Sequence, residues 1–213
     1  KKKVKKKDGW HPKLNAGFTF SFNQSQGVVG VPDGMSMALG LLLDGGVVFR
    51  KGAHEWISVL NVVHTQSKTP NIEPFIKSAD KLELLSFYQY RFPKLRMLGV
   101  FAGLKYITAM LPGSLVVAED VAVDKTPEDP TDFLDLVPAQ KPYRITKAFS
   151  PGLLKQFLGG ALKPYEKKYL DIDIKLGLGG VEVFGRDGYV LRDDKDTSGI
   201  LELKHIDDYQ QVG

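Results

Sequence analysis

The sequence predicts an all-β fold, an antiparallel up-and-down transmembrane β-barrel of at least eight strands. Three observations carry that expectation. First, the stretch YLDIDIKLGLGGVEVF (169–184) alternates with period two. Leu170, Ile172, Ile174, Leu176 and Leu178 fall on one side, and Asp171, Asp173, Lys175, Gly177 and Gly179 on the other. Second, most candidate strands reach ten residues or more, where a soluble strand has about five or six and a membrane strand about 9–11. Third, long and short connections alternate along the chain. Helical periodicity is nearly absent; SPGLLKQFLGGALKPY reads either way, and Gly159 with Gly160 weakens a helix there.

The candidate strands follow in order. The first, near 14–23, sets Asn15, Thr19, Ser21 and Asn23 on its polar side. The long QSQGVVGVPDG leads to the second, near 36–50, and the short KGAH to the third, near 55–66. After the long SKTPNIEPFIKS, the fourth, near 79–92, offers Lys81, Glu83, Gln89 and Arg91. The short PKLRM opens the fifth, near 98–111, which adds Lys105. A very long connection precedes the sixth, near 144–162, and the short KPYEK leads to the seventh, near 168–184, with Asp171, Asp173 and Lys175. The long GRDGYVLRDDKDTS ends at the eighth, near 199–208, where Glu202 and Lys204 join the polar side.

Long external loops and short periplasmic turns sort in this way in up-and-down barrels of the bacterial outer membrane. Trp10, Phe49, Trp56, Tyr90 and Phe92, with Tyr165 and Tyr169, cluster at the short-turn end. They read as membrane-interface aromatics. Phe20, Phe22 and Phe184 lie near the opposite end.

Composition sets bounds. The chain of 213 residues is 43% hydrophobic and 25% charged, ordinary for a globular protein. The mean hydropathy of −0.15 says little about a barrel, because half of each barrel strand is polar. No run of about 18 apolar residues exists, which excludes a transmembrane helix; MSMALGLLLDGGVVF carries Asp44 and glycines. The absence of cysteine excludes a disulfide scaffold and a Cys-based zinc site. Of the 29 basic residues, six lie in KKKVKKK, so the rest of the chain is close to neutral and no nucleic-acid partner is expected. Residues 1–9 read as a basic periplasmic tail or linker, and 10–213 as the barrel. Residues 112–140, acidic and proline-rich, read as a long external loop that serves as lid, constriction or partner contact.

Several stretches carry a family resemblance. LNAGFTFSFNQS resembles the entry strand of a Gram-negative outer-membrane β-barrel. KSADKLELLSFYQYRF, ITKAFSPGLLKQFLGG and LDIDIKLGLGG resemble a family of uncharacterised bacterial outer-membrane barrels, over most of residues 10–210. The resemblance implies a place in the bacterial outer membrane, with outer-membrane lipid as partner. Such barrels end on an aromatic residue, whereas this sequence ends in YQQVG. Closing strands are therefore expected beyond the residues given.

On the barrel reading, Asn15, Thr19, Ser21, Asn23, Lys81, Glu83, Gln89, Arg91, Lys105, Asp171, Asp173 and Lys175 line the lumen. Both charge signs are interleaved, and such charges pair when removed from water. The expectation is a filled or narrow interior, with a small charge-selective aqueous path as the functional alternative. No catalytic residue, metal site or cofactor emerges. His11, His54, His64 and His205 match no metal spacing. Ser58 and His64, six apart on one strand, stand roughly 20 Å apart. GLGGVEVFG lies inside an alternating strand and opens no helix, so it reads as strand glycine and not as a phosphate loop. The function expected is structural, interaction or narrow-channel transport, without enzymatic chemistry. A protein partner would meet the external loops or the basic tail. The alternative is a soluble lipocalin-like barrel that holds an apolar small molecule, with its oily faces turned inward.

Overall fold

The computed structural model describes residues 7–30, 32–95, 97–125, 134–167, 169–185, 188–191 and 200–212. Five long strands come first: β1 (Gly9–Ser25), β2 (Gly34–Lys51), β3 (His54–Thr69), β4 (Ile72–Arg91) and β5 (Leu98–Thr108). Short ones follow: β6 (Ser114–Leu115), β7 (Val121–Asp124), β8 (Asp135–Val137) and β9 (Tyr143–Arg144). Then come β10 (Gly152–Lys167), β11 (Leu170–Phe184), β12 (Tyr189–Leu191), β13 (Ile200–His205) and β14 (Tyr209–Val212). No helix occurs among the described residues.

An antiparallel sheet of eight strands in the order β1-β2-β3-β4-β5-β10-β11-β14 dominates the molecule. The order is that of the chain, hence up-and-down. Strands β1 to β4 span 17, 18, 16 and 20 residues, well beyond the roughly 9–11 that a tilted membrane crossing takes. Among the described residues the sheet is not closed: β1 has β2 as its one partner, and β14 meets β11 only at residues 180–183. From 170 to 179, β11 pairs with β10 alone.

Register divides the side chains into two faces. Leu41, His64 and Asp80 lie opposite one another on one; Asp44, Asn61 and Glu83 on the other. The first face is largely apolar and uncovered, with His64, Asp80, Gln156 and Glu182 among its polar exceptions: Phe18 is 69% exposed, Leu158 65%, Leu176 77% and Leu178 70%. The leucines and isoleucines of 170–178 all belong to it. The sheet curls toward the second face, because Arg91 on β4 meets Asp173 on β11 at 3.0 Å. Those strands stand three spacings apart, roughly 14 Å when flat, farther than the two side chains reach together. Phe87, Phe101 and Phe157 also gather there, with ring centroids 5.8–6.3 Å apart.

The sequence-based strand near 199–208 requires correction. Its core, β13, leaves the large sheet and pairs in parallel with β7 and antiparallel with β12. The eighth strand is β14 instead. Glu202 and Lys204 therefore belong to the small sheet, not to the polar side of the large one. The supposed long connection before the fourth strand also contracts, since β3 turns into β4 through Pro70 and Asn71. Register shifts after Thr65 and Ser67 let that hairpin run on as irregular strand. The sixth strand starts at Gly152, not near 144, and Tyr143 with Arg144 forms β9.

The segment 112–140 holds strands of its own. With 143–144, 189–191 and 200–205 it forms a cap at the end of the sheet that carries the longer connections. Its order is β12-β13-β7-β8, beside the β6-β9 pair. Val123, Val137 and Leu203 are fully buried at its centre, packed by Leu115, Val121, Tyr143 and Ile145. Gln140 fastens the cap to the β3–β4 hairpin: its Oε1 accepts from Glu73 N, and its Nε2 donates to Asn71 O, both at 2.9 Å.

Asp135 Oδ2 accepts from Lys125 Nζ and from Tyr143 OH at the cap's surface. Lys125, and after it Tyr143, holds the Asp135 carboxyl below its ordinary pKa. A carboxyl depressed by folding stabilises the fold above its unfolded pKa, and that share disappears as pH falls through the lowered value. Protection of the β7 amides against hydrogen exchange, taken relative to the intrinsic rate at each pH, should therefore fall below about pH 4. In Asp135→Asn the acid dependence should vanish, at a cost of about 1 kcal/mol or less because both charges are partly exposed. Unchanged acid dependence in that variant would refute the assignment.

Candidate functional site

The concave face of the large sheet collects the polar residues singled out in the sequence. Asn15, Asp44, Asn61 and Glu83 form one register row across β1 to β4. Asn61 Nδ2 donates to Asp44 Oδ1 within it. Thr19 shares a row with Gly40 and Thr65, Ser21 with Ala38 and Ser67, and Asn23 lies opposite Ser36. Gly40 is glycine for a steric reason, since a Cβ there would sit 2.3 Å from Thr19 Oγ1 and 2.9 Å from Thr65 Cγ2.

Two ion groups occupy the other half of this face. Glu83 accepts from Lys81 Nζ and from Lys105 Nζ, each at 2.7 Å. Nearer the short-turn end, Asp173 Oδ2 accepts from Arg91 Nη2 at 3.0 Å and from Lys175 Nζ at 2.9 Å. Glu83 and Arg91 lie eight positions apart on β4, roughly 27 Å along the strand, so the two groups are separate. Arg91, Gly99, Ala161 and Lys175 form one row. Small residues at 99 and 161 clear the way for the arginine, and Ala161 is buried beneath it. Gln89 lies one row along, opposite Glu55 and Phe101, and is only 4% exposed. The side chain of Asp171 lies outside the described residues.

Some participants escaped the sequence reading. In LGLLLDGG the apolar Leu42 lies on the concave face between Leu41 and Leu43, which hides the alternation that would have marked Asp44. Lys155, opposite Lys105 on the concave face, sits in a stretch whose pattern also fitted a helix.

The aromatics expected at a membrane interface occupy the apolar face. Trp10, Phe49, Trp56 and Tyr88 form one row, with Trp10 4.7 Å from Phe49 and 5.7 Å from Trp56 between centroids. Trp56 Nε1 donates to Ser86 Oγ at 2.9 Å. Tyr90 continues the band beside His54, and Phe92 sets its edge on Tyr90. Tyr88 joins this row although the spacing did not mark it. Ser58 Oγ donates to Ser86 Oγ, while His64 faces Asp80 with Nδ1 3.8 Å from Oδ1. The serine and this histidine thus face different partners. His64 stands on the apolar face, where Asp80 also accepts from Lys77 Nζ and Leu111 N.

Comparisons with protein-family models, with curated proteins and with solved structures found no match.

Proposed function

We propose that this chain forms the wall of a bacterial outer-membrane β-barrel with a narrow, charged interior and a structural or transport role. One observation carries the reading: the chain treats its apolar residues in two ways. In the cap, Val123, Val137 and Leu203 are wholly withdrawn from solvent. On the large sheet, longer side chains such as Leu158 and Leu178 stand uncovered over strand after strand. Withdrawing a leucine from water is worth about 1.5–3 kcal/mol, so a face of this size calls for an apolar cover. Hydrocarbon is the cover that matches its extent and the aromatic band along one rim, and the strands are more than long enough to cross it.

Barrel closure in this reading takes further strands on β1 and on the free length of β11, since unpaired backbone groups in lipid cost several kcal/mol each. The lipocalin-like alternative calls for the apolar face on the inside of the curl; the curl runs the other way. The full chain should require detergent for extraction from membranes and, unboiled, migrate differently in an SDS gel. Monomeric solubility without detergent would overturn the reading. Conductance in a planar bilayer separates a channel from a filled barrel.

A further inference from the structure

We propose that the concave face binds a small oxyanion at a station formed by Gln89, Arg91 and Lys175. This deepens the channel reading and rests on it for the setting in which such an anion would travel. Three observations converge. First, charge is unbalanced among the described residues: two cations, Arg91 and Lys175, share one oxygen of one carboxylate, Asp173 Oδ2. Glu55 on β3, the other carboxylate that faces the station among the described residues, already accepts from Arg50 Nε at 2.7 Å.

Second, donors outnumber acceptors. Arg91 Nη1 and Gln89 Nε2 are both buried and have no hydrogen-bond partner among the described residues. Gln89 precedes Arg91 by two positions, so both leave β4 on the same face roughly 7 Å apart. Buried donors without acceptors cost about 1–3 kcal/mol each, and they have nothing to give up on meeting an acceptor-rich ligand. Third, the row that joins the two cations is lined by small residues. Gly99 and Ala161 stand between Arg91 and Lys175 on β5 and β10, with Phe101 beside Gln89 in the next row, and Lys175 Nζ is steadied 6.0 Å from the Phe87 ring centroid.

A ligand with several oxygens and at least one negative charge satisfies the arginine's free arm and the amide together; phosphate and sulfate have that chemistry, and a guanidinium suits it. A second cation excess farther along the same face agrees in sign. Lys81 and Lys105 share Glu83, and Lys155, directly across from Lys105, has no carboxylate partner among the described residues.

The test is calorimetric titration of the full chain in detergent micelles with inorganic phosphate over a chloride background. Saturable binding is expected, weakened about tenfold or more in Lys175→Gln, the loss of one charged hydrogen bond. Gln89→Glu places a carboxylate beside Arg91 Nη1 and should abolish binding while preserving the fold. Lys141→Gln, in the cap and away from the concave face, should bind as the parent chain does. Absence of saturable binding, or equal affinity in Gln89→Glu and the parent, overturns the proposal. Detergent dependence and gel migration are read separately, so a membrane barrel without phosphate affinity and a phosphate binder without membrane affinity are distinct results.

Discussion

Leu178→Arg and Leu158→Arg should each destabilise insertion into lipid by about 2–4 kcal/mol, the cost of a cation on the lipid face near the bilayer centre. The two leucines lie opposite one another across β10 and β11 on the apolar face, at 70% and 65% exposure. In water the same changes replace a bared leucine by a charge, and stability should move by no more than about 0.5 kcal/mol, as for most surface substitutions. Opposite outcomes thus attach to the two environments. Urea titration of the chain folded into short-chain lipid vesicles, read by the shift of tryptophan fluorescence from Trp10 and Trp56, measures the difference. Wild-type stability for both variants in vesicles would defeat the lipid assignment.

Gly159→Val should unpair β10 from β11, with a loss of about 3 kcal/mol or more. A Cβ at Gly159 would stand 2.1 Å from Leu176 O and 2.5 Å from Gly177 Cα. Both obstacles are backbone, so no side-chain rotation relieves them, and the strands must separate or slip. Overpacking that a core accommodates costs about 1–3 kcal/mol; this site lacks even that latitude. Leu158→Val, the neighbouring position on the open face, should cost less than about 1 kcal/mol. Hydrogen exchange of the β11 amides separates the two variants. Equal protection in both would show that the close approach of the glycines is not required.

The two-faced strands were legible because their signal is local. In β11 every residue from Leu170 to Leu178 alternates, and the structure keeps that parity throughout. Much of the concave face was legible for the same reason: Glu83, Gln89, Arg91 and Lys105 were found by counting in twos. Where the count failed, a particular residue intervened. Leu42 put a large apolar side chain on the concave face and masked Asp44, and the bulges after Thr65 and Ser67 shifted parity along the β3–β4 hairpin. The described strands form an open sheet and not a closed barrel, since β14 covers only one end of β11.

The eighth strand shows the limit most plainly. ILELKH alternates acceptably and has the composition of a strand, and a strand it is. Its partner, however, is β7, from the segment read as an external loop, and the pairing is parallel. Burial decided between the two partners. In the cap Leu203 reaches a site enclosed by Val123 and Val137, whereas an edge position in the large sheet would have left it bare. Such an enclosure exists only after distant segments have met, so no window of neighbouring residues contains it.

The order of residues alone determined that these ribbons have one greasy and one polar side, since a β backbone throws successive side chains in opposite directions whatever lies beside it. Three-dimensional packing decided the direction of the curl, and with it which side is inner. Glycine at 99 and alanine at 161 leave room for Arg91 to arch over β5 and β10 to Asp173. That depends on which residues stand abreast in register, a relation between strands that a single strand's pattern does not hold.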